Sequence, residues 1–185
     1  ALGRAALRYN TTGKWNSAVG YTALFCTTTG CKNTASGAYA LHYNTTGIEN
    51  AGHGYAALYC NTTASNNTAV GGCSLFANTT GAANTAVGYT ALKANTCGNC
   101  NTALGNAALA CNTTGYNNTA LGFIALCCNT TGHSNVAIGR NSLRVATSNL
   151  NTAIGAYALT DNTTGTENTA TGYIALGDNT TGSEN

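Results

Sequence analysis

One short pattern of apolar and polar positions repeats along the chain. Residues 151–167, N-T-A-I-G-A-Y-A-L-T-D-N-T-T-G-T-E, and residues 168–184, N-T-A-T-G-Y-I-A-L-G-D-N-T-T-G-S-E, share most of their letters. Counting the leading Asn as position 1, small or apolar residues recur at positions 3, 4, 8 and 9. Turn-forming residues, usually N-T-T-G, occupy positions 12 to 15. The pattern therefore predicts two short apolar segments and one turn in each repeat.

The repeat covers the chain from end to end. Position 1 falls on Asn16, Asn33, Asn50, Asn67, Asn84, Asn101, Asn118, Asn135, Asn151, Asn168 and Asn185. Every interval equals that from Asn16 to Asn33, except the interval from Asn135 to Asn151, which is shorter by one. We interpret 1–185 as a single repeat array: a partial repeat over 1–15, ten repeats over 16–184, and Asn185 opening the next. We expect it to be a window of a longer fibre.

Two positions of the frame never vary. Position 5 is always Gly, which suggests a positive φ or a backbone packed too closely for a Cβ: Gly20, Gly37, Gly54, Gly71, Gly88, Gly105, Gly122, Gly139, Gly155 and Gly172. Position 9 is always Leu, as expected of a core column: Leu24, Leu41, Leu58, Leu75, Leu92, Leu109, Leu126, Leu143, Leu159 and Leu176.

The 17-residue repeat is too short for a pair of packed helices. We predict an all-β fold, a parallel β-solenoid (β-roll) of about eleven coils with two short strands per coil, T-A-V and x-A-L. Leu at position 9 and the aliphatic residue at position 4 should be buried. The Gly that ends N-T-T-G should adopt the left-handed conformation. We expect the small residues at positions 3 and 8 to face a neighbouring chain.

Composition narrows the function classes. Charged residues make up 6% of the chain and the net charge is +2, too little for a nucleic-acid footprint. No apolar run approaches the roughly 18 residues of a membrane span. Nine cysteines favour an oxidising, extracellular setting, although the odd number leaves at least one unpaired.

The frame resembles two kinds of surface fibre. N-V-A-I-G at 135–139, with N-T-A-V-G, N-T-A-L-G and N-T-A-I-G elsewhere, resembles the head repeat of trimeric autotransporter adhesins, which is shorter than the 17-residue frame. The full frame N-T-A-x-G-x-x-A-L-x-x-N-T-T-G is similar to repeats in phage-type tail-fibre shafts. The resemblance implies a trimeric, left-handed parallel β-roll with an extended extracellular binding or spacer role.

Residues able to do chemistry are sparse. The acids are Glu49, Asp161, Glu167, Asp178 and Glu184, and the histidines are His42, His53 and His133. None falls in a catalytic motif, so we expect no enzyme and no cofactor. We expect no metal site either, because C-G-N-C at 97–100 is a lone C-x-x-C and structural zinc needs four ligands.

Cysteine positions suggest disulfides. Cys111 and Cys128 share position 11 of adjacent coils, stacked at roughly 4.8 Å, which lies within the Cα range of a disulfide. Cys26 and Cys31 could close a turn, and Cys97 and Cys100 could pair locally. The alternative is that small apolar residues merely occupy a variable surface column.

N-x-[ST] sequons recur in the turn and mark candidate glycosylation sites: Asn10, Asn44, Asn61, Asn78, Asn112, Asn129, Asn162 and Asn179. The alternative is an Asn ladder turned inward, which we favour here and more strongly at position 1. Threonines at positions 2, 13 and 14 raise a weaker hypothesis, an ice-binding surface, although N-T-T-G is typical of a turn rather than a flat strand.

Charge differs between the two ends. Residues 1–48 carry only bases, Arg4, Arg8, Lys14 and Lys32, and residues 160–185 carry only acids. Opposite charges at opposite ends would favour head-to-tail filaments.

We therefore predict a non-catalytic shaft of an extracellular fibre, filament or tail-fibre-like appendage on a cell or virion surface, with further copies of itself and glycans as partners. The alternative is an adhesin head that uses its variable outer surface. It would gain support if Tyr21, Tyr55, Tyr89 and Tyr173 clustered with basic residues. A disordered segment is disfavoured, because disorder needs no leucine column.

Overall fold

The computed structural model describes all 185 residues, and its regular structure consists of ten parallel strands in a single sheet. Each strand has three residues and the sheet order follows the chain order. The strands are β1 (Ser17–Val19), β2 (Thr34–Ser36), β3 (Ala51–His53), β4 (Thr68–Val70), β5 (Thr85–Val87), β6 (Thr102–Leu104), β7 (Thr119–Leu121), β8 (Val136–Ile138), β9 (Thr152–Ile154) and β10 (Thr169–Thr171).

Strand register follows the sequence repeat. Ser17 pairs with Thr34, the same frame position in the next coil, and a bridge from Leu2 to Val19 extends the ladder before β1. At the shortened repeat Val136 pairs with Thr152, so the missing residue leaves the register of the sheet intact. The prediction of a parallel β-solenoid with 17-residue coils is confirmed. At roughly 4.8 Å per coil the rod is roughly 50 Å long.

The prediction of a second strand is wrong, because the x-A-L segment forms turns. Leu at position 9 has φ between 47° and 55° in every coil, a left-handed conformation that costs a non-glycine residue roughly 1–2 kcal/mol. The segment still binds the next coil, since Leu24 N–H donates to the Ala40 carbonyl at 3.0 Å. A turn therefore carries the second backbone ladder.

Glycine at position 5 meets both physical expectations. Its φ lies between 125° and 142° throughout, a region that residues with a Cβ avoid. The coils also approach closely here, because a Cβ on Gly20 would lie 2.5 Å from the Gly37 carbonyl oxygen. Any side chain at this corner would push two coils apart.

The conformation predicted for the N-T-T-G glycine is wrong. These glycines are not in the left-handed region. Glycine is required here because successive coils approach closely: a Cβ on Gly30 would lie 2.6 Å from the Gly47 carbonyl oxygen of the next coil. The left-handed residue comes two places later, at position 17, as in Lys32 (φ 58°) and Asn117 (φ 55°).

The core is a narrow column of alanine and leucine, and no other residue type belongs to its apolar cluster. The alanines at positions 3 and 8 point into this interior, so the prediction that they face a neighbouring chain is wrong. Nine of the ten predicted core leucines, Leu24 to Leu159, are fully buried. Leu176, in the last complete repeat, is 40% exposed.

The prediction that position 4 is buried is also wrong. Along the strands only the middle residue points inward, and both neighbours face outward. Val, Leu and Ile at position 4 are consequently on the outside, and His53 shares this surface instead of lying in a core column. One leucine per coil, packed among alanines, is all the apolar bulk that the interior holds.

Candidate functional site

The most extensive polar arrangement is an internal ladder of the position-1 asparagines. Asn84 shows the pattern: Nδ2 donates to Asn67 Oδ1 at 3.2 Å and to the Gly98 carbonyl at 2.8 Å. Its Oδ1 accepts from the backbone N–H and from Nδ2 of Asn101, at 2.9 and 3.2 Å. The same contacts run from Asn16 to Asn185 without a gap. We refer to this column as the position-1 ladder.

A second buried column, the position-12 ladder, runs beside the first. Asn95 Nδ2 donates to Asn78 Oδ1 at 2.8 Å and to the Gly98 carbonyl at 3.0 Å, and Asn95 Oδ1 accepts from Asn112 Nδ2 at 2.8 Å. Asn84 and Asn95 therefore bond the same carbonyl. Within a coil, both asparagines bond the turn through the Gly98 carbonyl. Between coils, each asparagine bonds the asparagine at its own frame position in the neighbouring coil.

Most candidate glycosylation sites are members of the position-12 ladder. Six of the eight are fully buried, namely Asn44, Asn61, Asn78, Asn112, Asn129 and Asn162. Asn10 and Asn179, near the ends, are partly exposed, and both still donate to a glycine carbonyl. A glycan on the six would have to be attached before folding and would break the ladder. Glycosylation stays a prediction, which intact mass can test.

The position-12 ladder is interrupted twice. Thr27 and Ala146 stand where the other coils have Asn. The Oδ1 atoms of Asn10 and Asn129, which would accept from residues 27 and 146, are buried without a partner, as is the Thr27 hydroxyl. Burying an unpaired polar atom costs about 1–3 kcal/mol. Both interruptions therefore leave a local defect.

Threonine at position 13 forms a third ladder at the turn. Thr62 Oγ1 donates to the Thr79 carbonyl of the next coil at 3.1 Å, and Thr79 Oγ1 donates in turn to the Thr96 carbonyl at 3.0 Å. These half-buried hydroxyls are used to join one coil to the next. Threonines at position 2, such as Thr85 and Thr102, lie on the outward side of the sheet. Threonines at position 14, such as Thr114 and Thr131, are exposed as well, so an ice-binding surface would have to rest on positions 2 and 14.

All nine cysteines are free thiols. Cys31 is turned toward the turn backbone and donates to the Thr29 carbonyl at 3.2 Å. Burial, followed by the charges of Cys111 and Cys128, raises the pKa of Cys127 to about 11. The predicted bridges Cys111–Cys128, Cys26–Cys31 and Cys97–Cys100 are unformed here and remain predictions for oxidising conditions.

Aromatic side chains form a belt on the first five coils. Phe25, His42, Tyr59 and Phe76 share position 10, and their rings stack face to face with centroids 5.0, 5.3 and 5.1 Å apart. That spacing is close to the coil repeat, so the solenoid itself sets the stacking distance. Burial lowers the pKa of His42, which favours the uncharged ring within the stack.

A groove of about 300 Å³ opens beside this stack. It is lined by Tyr39, Tyr55, Ala56, Tyr59 and Phe76, and no charged residue lies among them. The hydrogen bond with Tyr43, ahead of burial, raises the pKa of Tyr59 to about 12, so its hydroxyl stays protonated. The groove offers apolar ring surfaces with phenol groups nearby.

An adhesin surface was predicted to show the exposed tyrosines clustered with basic residues, and the structure shows this only in part. Tyr21 and Tyr55 join the belt through Tyr39, at 5.3 and 5.8 Å between centroids, but no base lines the groove. Tyr173 lies by a second hollow of about 240 Å³ that contains two acids, Asp161 and Asp178, and no base. Arginines meet aromatic rings elsewhere: Arg8 beside Phe25 and Arg140 beside Phe123.

Ionisable groups are dispersed over the rod. Glu49 pairs with Lys32 of the preceding coil at 2.8 Å, and Asp161 approaches Arg144 at 3.7 Å. Such exposed pairs contribute little to stability. No group of three or more His, Cys, Asp or Glu side chains is arranged to hold a metal ion. The structure also has no helix of the length and apolarity that a membrane crossing requires.

The outward side of the sheet is unusually apolar. Its position-4 column contains six Val, Leu and Ile side chains that are 36–47% exposed: Val19, Val70, Val87, Leu104, Leu121 and Ile154. Position 2 adds mainly threonines. We call the two columns, positions 2 and 4 of all ten strands, the sheet face.

No family model matches the chain, and no curated protein or solved structure is significantly similar to it.

Proposed function

We propose that the chain is a structural, non-catalytic rod: the shaft of an extracellular fibre, filament or tail-fibre-like appendage on a cell or virion surface. The observation that carries the proposal is that the buried polar groups form hydrogen bonds between successive coils. Two asparagine ladders, a threonine ladder and two backbone ladders all join one coil to the next. The fold devotes nearly all of its buried polar chemistry to axial continuity.

The resemblance to trimeric adhesin heads and tail-fibre shafts supports the same proposal, with further copies of the chain as partners. A rod held only by neighbour-to-neighbour contacts can be lengthened by adding coils, because each coil contacts only the coils beside it. Length is the property that a shaft needs. The same repeat supplies it without any new kind of contact.

The test is the location of the chain on native material. Antibodies raised against the purified rod, coupled to gold, should label thin surface appendages along their length in electron micrographs of the cells or particles that carry it. Labelling confined to the cell interior would contradict the proposal. Preimmune serum and a strain or particle that lacks the chain provide the controls.

The aromatic groove favours a second candidate function, recognition of a neutral carbohydrate by an adhesin-like surface. Sugar rings present apolar faces that pack on aromatic rings, and their hydroxyls can bond phenols. A groove of about 300 Å³ is comparable to the smallest ligand sites, which begin near roughly 300 Å³. The absence of charge in its lining favours neutral ligands over sialylated or sulfated ones.

Saturation-transfer NMR with a panel of neutral oligosaccharides tests this second function. We expect transfer to the sugar from wild type, and its loss in Tyr55→Ala and Tyr59→Ala. Tyr89→Ala is the matched control, because Tyr89 occupies the same frame position as Tyr55 and lies outside the groove. No transfer from wild type, or equal loss in the control, would remove the candidate.

A further inference from the structure

The sheet face lacks an explanation within a single copy. A monomer gains nothing by exposing a column of Val, Leu and Ile that is unbroken from β4 to β9, and contiguous apolar patches of this kind commonly mark interaction sites. The inward positions of the same strands hold only alanine and Gly52. The larger aliphatic side chains are therefore outside and the smaller ones inside, the reverse of what a solitary sheet needs.

We propose that the sheet face is a lateral interface with a second copy of this chain. Repeat spacing is the first argument. The face repeats once per coil, at roughly 4.8 Å, and a partner stays in register along ten strands only if it has the same spacing. A second copy has that spacing necessarily, whereas a protein with an irregular surface would match at only a few coils.

Charge is the second argument. Over residues 50–135 the sheet face and its two flanking positions, 17 and 6, contain no acidic, Lys or Arg residue. Two copies can therefore approach without like charges meeting. The ion pair of Lys32 with Glu49 and the acids of residues 160–185 lie outside this stretch.

Area is the third argument. A strip ten strands long and three residues wide measures roughly 50 by 10 Å, or roughly 500 Å². Five rings border it at position 6, and they are 43–73% exposed: Tyr21, Tyr55, Tyr89, Phe123 and Tyr173. Since a fully buried aromatic ring covers about 150–250 Å², the exposed parts of these rings bring the surface near the roughly 800 Å² per partner of a stable interface.

The inference names the partner surface of the proposed shaft and is separable from the shaft role, because an unpaired rod could still serve as a spacer. Sedimentation equilibrium over a range of concentrations tests it. We expect wild type to have a mass that is a multiple of 18.6 kDa. The triple variant Val87→Lys, Leu104→Lys, Leu121→Lys should weaken association at least about 100-fold, since an interface lysine loses its water.

The matched control changes the same three coils at position 14 of the turn: Cys97→Lys, Thr114→Lys, Thr131→Lys. These residues are exposed and lie off the sheet face, so we expect the wild-type mass. If circular dichroism shows that the sheet-face lysine variant is unfolded, the triple variant Val87→Thr, Leu104→Thr, Leu121→Thr replaces it in the association measurement. Threonine already occupies this position in β10, and we expect association at least about tenfold weaker.

Three results would overturn the proposal. Wild type could remain at 18.6 kDa at the highest soluble concentration. The folded sheet-face variant could keep the wild-type association constant, which would move the interface elsewhere. The turn control could dissociate as much as the sheet-face variant. In each case immunogold labelling of appendages would still report separately on the shaft.

Discussion

The two asparagine ladders lie side by side and use the same side chain, yet the chain treats them differently. Position 1 is Asn in all eleven places, whereas position 12 admits Thr27 and Ala146. The difference lies in what the side-chain oxygen binds. Asn84 Oδ1 accepts a backbone N–H, from Asn101, in addition to an amide, whereas Asn95 Oδ1 accepts only the amide of Asn112.

Every residue except proline keeps its backbone N–H, so the acceptor of a buried N–H has to be present. At position 12 donor and acceptor both belong to side chains, and a coil can lose the pair locally. The comparison indicates that position 1 is required for stacking and that position 12 adds stability coil by coil. Four substitutions test it, taken in order of expected effect.

Asn84→Ala should have the largest effect. It removes four hydrogen bonds and leaves the N–H of Asn101 and Oδ1 of Asn67 short of a partner. We expect the free energy of unfolding in urea to fall by about 3–5 kcal/mol, from unpaired buried groups of about 1–3 kcal/mol each. Asn106→Ala is the control, because Asn106 is exposed, and it should change stability by under about 0.5 kcal/mol.

Asn95→Ala, in the same coil, should cost less, about 1–3 kcal/mol. It removes three hydrogen bonds but no partner of a backbone N–H. The Gly98 carbonyl keeps its bond from Asn84. If urea unfolding gave Asn84→Ala and Asn95→Ala the same cost, the difference between the ladders would be refuted.

Thr27→Asn should stabilise the protein by about 1–2 kcal/mol. The new amide can donate to the unpaired Oδ1 of Asn10, and its oxygen can accept from Asn44 Nδ2, which now bonds only the Gly47 carbonyl. Thermal unfolding measures the gain as a raised Tm. Thr29→Asn, an exposed change in the same turn, is the control and is expected to leave Tm unchanged. An equal rise in Tm for Thr29→Asn would mean that an added asparagine anywhere in the turn stabilises the protein, without any repair of the ladder.

Ala146→Asn should have the smallest effect, a gain of under about 1 kcal/mol. It offers a donor to Asn129 Oδ1. The shortened turn, however, has already redirected Asn151 and Asn162 to Ser148 Oγ, at 3.0 and 3.4 Å. A rise in Tm larger than that of Thr27→Asn would show that the deletion has not altered the ladder.

Much of the fold follows from the repeat, because a 17-residue period with Gly at position 5 and Leu at position 9 leaves few alternatives to a stacked coil. The register and the inward asparagines were predictable for the same reason. The second strand was not, since its residues Ala and Leu are compatible with strand or turn. Left-handed leucines cannot be expected from propensity, and only stacking on the next coil, as in Leu24 to Ala40, maintains them.

The facing of the strand was mispredicted for a physical reason. In a three-residue strand either the middle residue or its two neighbours point inward, and size alone favours Val or Leu as the core residue. The interior has room for one leucine per coil and little more, so alanine takes the inward place. The aromatic groove was likewise beyond sequence reasoning, because its ring partners come from different frame positions in three coils.

The central claim is that buried asparagine ladders join the coils, and exchange of side-chain amide hydrogens in D₂O, followed by NMR, tests it most directly. The position-1 amides from Asn33 to Asn168 should exchange only through opening of the rod, at rates close to those of the most protected backbone amides. The exposed amide of Asn106 should exchange at once. Exchange of the position-1 amides as fast as that of Asn106 would contradict the account.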